Sequence, residues 1–190
     1  MSSEAFIISI ARAAQMPAAI RQALETAGLK PSLLQDIVVG GVEGAATHDL
    51  IGMVRDPGLS CPSVSVSSAL RAMHFAAAAI LSGDVEVSVV AAAEGKHSVA
   101  MLVAGSEAIG RWNLMPRARL AARSLSGAET ALRRAGIAAE DVKAGREGDS
   151  LAIVSEVLGE LARLQAQWGL VSAGSLALLL EDLQGAQKPP

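Results

Sequence analysis

Cysteine is almost absent from this chain of 190 residues. Cys61 is the only one, so no disulfide can form within the chain. A single cysteine is compatible with a reducing compartment. The amino terminus, MSSEAFIISIARAA, also lacks the basic start of a signal peptide. We therefore expect a cytoplasmic protein.

Aromatic residues and excess positive charge are also scarce. The formal net charge is −3, and the aromatic side chains are Phe6, Phe75, Trp112 and Trp168. Proteins that bind nucleic acid rely on a basic field, and many stack the bases on aromatic side chains. We therefore expect no nucleic-acid partner.

Long apolar runs are missing too, although 51% of the residues are hydrophobic. The longest stretches are interrupted by Arg71 and His74, or by Glu94 and Lys96. They fall short of the roughly 20 apolar residues that span a bilayer. We expect no membrane association, and the apolar side chains must be buried within protein. A chain of this length can bury roughly 70% of its unfolded surface, which suffices for one core.

Short apolar runs alternate with helical patterns in the first half of the chain. Helical spacing predicts helices over residues 17–28 and 67–82, the second capped by Ser67 and Ser68. The alternation predicts an α/β fold with a mainly parallel sheet and helices layered against it. The predicted strands are AFIISI at 5–10, DIVVGGV at 36–42, SVSV at 63–66 and VEVSVVAA at 85–92.

Residues 95–169 differ in character, because arginine and glutamate become denser there. The helix-like stretches SLSGAETALRRAG and SLAIVSEVLGELARL predict a helical insertion packed over the sheet. SLALLL, at 175–180, returns to the pattern of a buried strand. We expect one α/β domain formed by residues 1–94 and 170–184, with a disordered tail at 185–190. The sequence shows no internal repeat.

The order of these pieces resembles the N-terminal half of a thiolase. Thiolases are acyl-CoA acyltransferases that make or cleave 3-ketoacyl-CoA. The resemblance implies one half of a layered fold whose full form has two similar halves, and it implies that the chain ends where the second half would begin. It is carried by EAFIISIARA, AAIRQALETAGLKPSLLQDIVVGGV, SSALRAMHFAAAAILSGDVEVSVVAAAE, GRWNLMPRARL, SLSGAETALRRAGIAAEDV and GLVSAGSLALLLED.

The departures from the thiolase pattern concern catalysis. The resemblance places the nucleophilic cysteine directly before the residues that match Ser67 to Leu70, where this chain has Val66. An alternative alignment on PSVSV deletes the cysteine position altogether. The family's catalytic histidine and second cysteine belong to the half expected to be missing. We therefore expect a non-catalytic partner or pseudo-enzyme subunit. The alternative is one half of a split thiolase, active only with a complementary chain.

Other reactive residues have simpler interpretations. Cys61 with His48 as base would be a relocated nucleophile, but no motif joins them, and we expect an inert loop thiol. His48 and Asp49 lack further metal ligands, so we expect no metal site. The glycines of VGGVEG miss the dinucleotide-binding spacing.

The resemblance also implies a ligand. Arg111, Trp112, Arg117 and Arg119 fall in the stretch that resembles the thiolase loop domain, which helps to bind coenzyme A (CoA). Arginines there would hold phosphates and the tryptophan would contact adenine. A solvated basic face is the alternative. We expect no bound cofactor beyond CoA or acyl-CoA as a ligand.

The helix at 67–82 is apolar almost all round, which is typical of a helix covered on every side. In a half-thiolase one face would remain in water, so we expect an interface there. The partner would be a second copy of this chain or a full-length thiolase. The alternative is that the insertion covers the helix. The candidate interface residues are Arg71, His74, Phe75, Ala77 and Ala78.

Overall fold

The computed structural model describes residues 4–41, 58–59 and 61–184, which form nine strands and five α-helices. The helices are α1 (Met16–Ala27), α2 (Ala69–Ser82), α3 (Ser106–Trp112), α4 (Leu125–Arg134) and α5 (Leu151–Leu164). The strands are β1 (Ala5–Ala13), β2 (Asp36–Gly40), β3 (Ser63–Val66), β4 (Val87–Glu94), β5 (His97–Gly105), β6 (Ala118–Ser124), β7 (Val142–Ala144), β8 (Trp168–Ala173) and β9 (Leu176–Asp182).

Local sequence signals define the two helices predicted in the first half of the chain. Helix α1 has a proline in its first turn and ends at Gly28, whose φ of 68° suits glycine. Helix α2 begins after Ser68, whose hydroxyl accepts a hydrogen bond from the Arg71 amide at 3.1 Å. The expected serine cap is therefore confirmed for Ser68.

All nine described strands join one sheet, in the order β3-β2-β4-β5-β1-β6-β9-β8-β7. The α/β class is confirmed. The sheet is mixed rather than mainly parallel, since β2 with β3, β2 with β4, and β7 with β8 are its parallel pairs. The other neighbouring strands pair antiparallel. Of these pairs, β4–β5 and β8–β9 are hairpins, and the remaining ones are β1–β5, β1–β6 and β6–β9.

The sheet contains a topological repeat. Outward from its centre, one side reads β1, β5, β4, β2 and the other reads β6, β9, β8, β7. The connections also correspond, because α1 follows β1 as α4 follows β6, and α2 precedes β4 as α5 precedes β8. We call residues 5–105 the first half and 118–182 the second half. The expectation of a missing second half is therefore wrong for the topology. The second half is shorter, and among the described elements it has no counterpart of β3.

The segment expected to be an insertion belongs to the sheet. Strands β5, β6 and β7 lie entirely within residues 95–169, and β8 begins there. The break at Lys96 is the tight turn of the β4–β5 hairpin, where Glu94 faces His97 across two residues. Arg119 of β6 is exposed between buried Ala118 and Leu120, as expected for a strand with one exposed face.

Two apolar clusters lie on opposite faces of the first-half strands. Val38 of β2 belongs to the central cluster, whereas its neighbours Ile37 and Val39 belong to the outer cluster, which contains α1. The central cluster joins α2 and α5 to strands of both halves. Helices α2 and α5 therefore form the shared core of the molecule.

Within the described ranges, no helix is long and apolar enough to cross a membrane. The expected tail at 185–190 lies outside the described residues.

Candidate functional site

The starts of α2 and α5 lie at one open cleft, which we call the helix-start cleft. Its volume is about 730 Å³. It also lies at the carboxyl ends of the parallel strands β2 and β4, the edge at which α/β proteins commonly bind ligands. Its described lining residues are Arg12, Gly41, Ser67, Ala93, Glu94, Gly95, Arg146, Asp149, Ser150, Ala152 and Glu156.

Two glycines bring β2 close to the start of α2. A Cβ atom at Gly40 would lie 2.7 Å from the Cα atom of Ala69. The Gly41 amide donates to the Val66 carbonyl at 2.6 Å. The GG pair of VGGVEG therefore provides a close backbone contact, which explains these glycines without a dinucleotide.

Two oxygen acceptors occupy the first turn of α2. The Ser68 hydroxyl accepts from the Arg71 amide, and the Asp149 carboxylate accepts from the Leu70 amide at 2.7 Å. The first amides of a helix have no partner within the helix, and they carry the positive end of its dipole. Asp149 comes from the second half, so one half caps the central helix of the other.

The start of α5 has the reciprocal arrangement. The Ala152 amide lies 3.1 Å from both carboxylate oxygens of Glu94 and 3.1 Å from the Ser150 hydroxyl. Glu94 ends β4 in the first half. Each central helix is thus capped by a local serine and by a carboxylate from the opposite half.

The described lining of this cleft supplies caps to two helices. Among its described lining residues there is neither cysteine nor histidine. Ser67 and Ser150 are hydroxyl groups without an imidazole base in that lining. Within the described chain, no cluster of potential ligands could hold a metal ion. His48 and Asp49 lie outside the described residues.

Val66 and Cys61 lie on different sides of the sheet. Val66 packs against the central cluster two residues before the α2 cap, whereas Cys61 packs against the outer cluster. Burial raises the pKa of the Cys61 thiol, and the nearby Asp36 carboxylate raises it further. A protonated thiol on the outer side is not placed to use the α2 dipole. The proposed base, His48, is outside the described residues.

The four residues expected to bind CoA do not form one cluster. Nη1 of Arg111 donates hydrogen bonds to both carboxylate oxygens of Glu86, at 2.7 and 2.6 Å. The guanidinium carbon of Arg111 lies 5.8 Å from the ring centre of Trp112. Arg119 pairs with Glu4 at 3.5 Å and Glu181 at 3.1 Å. Arg117 alone approaches the helix-start cleft. It lines a side cleft of about 210 Å³ together with Arg12, Ala152 and Glu156, which also line the main cleft.

One face of α2 is exposed, which we call the α2 outer face. It comprises Arg71, Phe75, Ala78 and Leu81, with Phe75 45% and Leu81 50% exposed. His74 is half-buried, and its Nε2 lies 3.0 Å from the Ala177 carbonyl oxygen of β9. Ala77 is fully buried in the central cluster, so its assignment to an interface is wrong. The helical spacing predicted the apolar faces of α2 without showing which of them the second half covers.

Sequence reasoning missed the carboxylates of the cleft. The Asp149–Ser150 pair directly before the apolar run of α5 is a recognisable helix-start pattern. Glu94 has no such signal, because its partner amide lies 58 residues away. Arg12 and Arg146 are likewise brought to the cleft only by the tertiary fold.

The fold is similar to that of solved thiolases. Acetyl-CoA acetyltransferase from Syntrophomonas wolfei matches with a TM-score of 0.68 at 11% identity, covering 95% of this chain and 99% of that one. Human mitochondrial 3-ketoacyl-CoA thiolase in complex with CoA matches with a TM-score of 0.68 at 9% identity, covering 94% and 98%. A second structure of the human enzyme gives 0.67 at 9% identity, covering 94% and 99%.

These matches confirm the expected thiolase-like fold. Because the alignments cover nearly all of the solved chains, they agree with the two-half topology and not with an N-terminal half alone. No protein-family model and no curated protein matches the sequence. Sequence identities of 9–11% support a shared fold but do not support a shared activity.

Proposed function

We propose that this chain is a thiolase-fold protein without thiolase activity, which serves as a non-catalytic subunit of an acyl-CoA-processing complex in the cytoplasm. The observation that supports it best is the helix-start cleft, whose described lining contains no cysteine and no histidine. Val66 stands at the position that the resemblance assigns to the nucleophile.

The chemical argument concerns the acyl thioester that a thiolase must form. A cysteine at a helix start is activated because the positive end of the helix dipole favours the thiolate. Valine supplies no nucleophile. In this chain the α2 start also faces the Asp149 carboxylate, whose charge opposes a second anion there.

The direct test is thiolysis of acetoacetyl-CoA by free CoA. We expect no turnover above background from the native chain, and none from Cys61→Ala. Turnover within a few tens of fold of an ordinary thiolase, abolished by Cys61→Ala, would contradict the proposal and identify Cys61 as the nucleophile. Turnover that persists in Cys61→Ala would contradict it as well, and would point to a serine.

The split-enzyme alternative requires a complementary chain that supplies the second half. The repeat of β1, β5, β4 and β2 by β6, β9, β8 and β7 gives this alternative little support, since the second-half strands are already present. Copurification from the native host separates the two ideas. A full-length thiolase at fixed stoichiometry favours the subunit role, and a C-terminal half-thiolase favours the split enzyme.

For the subunit role, we propose the α2 outer face as the contact with a second copy of this chain or with a full-length thiolase. The exposed aromatic ring of Phe75 and the aliphatic Leu81 support this choice. The edge strand β3 packs against α2 and also exposes an apolar residue, Val64. Exposed apolar surface commonly marks an interface when it forms a patch beyond a few hundred Å².

We also propose a residual affinity for CoA or acyl-CoA. A solved neighbour is a thiolase in complex with CoA. In this chain the arginines around the cleft are Arg12, Arg117 and Arg146, of which only Arg117 belongs to the set expected from the sequence. Guanidinium groups suit phosphate oxygens. Weak binding would fit a protein that has kept the fold without the chemistry.

A further inference from the structure

We propose that the carboxylates of Asp149 and Glu94 occupy the amide groups at the starts of α2 and α5, each carboxylate capping the helix of the opposite half, and that together they prevent these two helix starts from stabilising an external anion. No external ligand is involved. The inference concerns the same cleft as the proposed function and adds a second reason for inactivity, independent of Val66.

The contacts are long-range and reciprocal. Asp149 reaches the Leu70 amide across 79 residues, and Glu94 reaches the Ala152 amide across 58 residues. Ser68 and Ser150 already supply local acceptors, as ordinary helix caps do. The carboxylates therefore add what the serines cannot, which is a negative charge at the positive end of each helix.

The two carboxylates stand at different positions within the two halves, although each reaches the central helix of the other half. Glu94 ends β4, directly after which the first half turns into β5, and Asp149 immediately precedes the α5 cap in the second half. Both carboxylates line the helix-start cleft. A helix start accommodates anions readily because its amides point outward. Here the Leu70 and Ala152 amides already donate to carboxylates of this chain.

This arrangement has a consequence for any nucleophile introduced at the α2 start. A thiol placed there would meet the helix dipole, which favours the thiolate, and the Asp149 charge, which opposes it. If Asp149 neutralises the helix start, a cysteine at position 66 will react as an ordinary thiol. Removing the Asp149 charge should then activate it.

The test uses cysteine as a reporter in a background without the native thiol. Cys61→Ala/Val66→Cys is compared with the same protein carrying Asp149→Asn, and the readout is the rate of alkylation by iodoacetamide as a function of pH. We expect the added Asp149→Asn to raise the rate at pH 7 by roughly fivefold, because the thiolate fraction increases. Glu156→Gln is the matched control, since Glu156 lines the same cleft and is 62% exposed without capping either helix in the described structure. It should change the rate less than twofold.

Two outcomes would overturn the proposal. One is an alkylation rate that Glu156→Gln and Asp149→Asn raise equally. This would show that the total charge of the cleft, and not the Asp149 cap, controls the thiol. The other is a Cys61→Ala/Val66→Cys protein whose alkylation already titrates below the ordinary range of a thiol. This second measurement needs no substitution of Asp149, so it decides the matter even if Asp149→Asn fails to fold. Neither depends on thiolysis by the native chain, so a failure of the proposed function remains distinguishable.

Discussion

At the scale of single residues, His74 is a contact between the two halves. It lies on α2, and its Nε2 is 3.0 Å from the Ala177 carbonyl oxygen of β9. Burial lowers the pKa of His74 from its ordinary value, and the bond to Ala177 opposes this only in part. The folded protein therefore binds fewer protons at His74 than the unfolded chain does. Stability from this residue is present above a pH of about 6.5 and is lost as the pH falls toward the lowered folded value.

We predict that the native protein loses more stability between pH 7.5 and pH 5 than His74→Gln does. A glutamine amide can still donate to the Ala177 carbonyl but does not titrate. Urea unfolding at several pH values measures the difference. His97→Gln serves as the control, because it removes an exposed imidazole and leaves the His74–Ala177 contact in place. Parallel profiles for the native protein and His74→Gln would contradict the prediction.

The arginines give a second prediction at the residue scale. Calorimetry with CoA should detect binding near the millimolar range, where the free energy is about −4 kcal/mol. Arg117→Gln should weaken it several-fold, because Arg117 lines the side cleft next to Arg12. Arg111→Gln should not, because Arg111 is held by Glu86. The absence of binding heat with the native protein would contradict the CoA proposal. An equal loss of CoA affinity in both variants would show that Arg117 is not the residue responsible for binding.

At the scale of elements, the α2 outer face is the surface to test for assembly. Burying several hundred Å² of apolar surface contributes on the order of 10 kcal/mol before the cost of association. We predict that the native protein is an oligomer at micromolar concentration and that Ala78→Glu dissociates it, as measured by light scattering. Ala77→Glu is unsuitable, because Ala77 is fully buried and a charge there would destabilise the fold.

Gln22→Glu is the control for that experiment, since Gln22 is exposed on α1. It should leave the assembly intact. A native chain that is folded and monomeric would contradict the prediction. So would a native oligomer that withstands Ala78→Glu, because this would locate the interface on another surface.

The elements that the sequence predicted well are those with strong local signals. Helix α1 has its proline and glycine boundaries, α2 has its serine cap, and the run at 36–42 is apolar enough to predict β2. The elements assigned to an insertion carry mixed signals. Strand β5 is almost entirely apolar, but the charged hairpin turn at Lys96 separated it from β4, and the arginines of β6 suggested a solvated segment.

The helix-start cleft could be predicted only in part, for a related reason. Ser67 and Val66 lie beside a helix start that is visible in the sequence. Asp149 and Glu94 reach the cleft through long-range contacts. Asp149 is 79 residues from its partner Leu70 in the sequence, and Glu94 is 58 residues from its partner Ala152. Such pairings depend on the strand order, which no local pattern in the chain specifies.

At the scale of the whole molecule, the two halves share one core. The central cluster contains Met73 of α2, Leu158 of α5 and strand residues from both halves, and β1 pairs directly with β6. Neither half can bury its central helix without the other. The topological repeat therefore does not divide the molecule into two independent domains.

This shared core predicts a single cooperative unfolding transition that both tryptophans report. Trp112 ends α3 between the two halves, and Trp168 begins β8 in the second half. The variants Trp168→Phe and Trp112→Phe each leave one fluorophore, and their urea unfolding curves should coincide in midpoint and slope. Met73→Ala and Leu158→Ala truncate fully buried side chains of different halves, so each should cost about 2–5 kcal/mol. In both cases we expect the Trp112 and Trp168 signals to shift together. If Met73→Ala shifted the Trp112 signal alone, the halves would unfold separately, and the carboxylates that cross between them would not couple their stability.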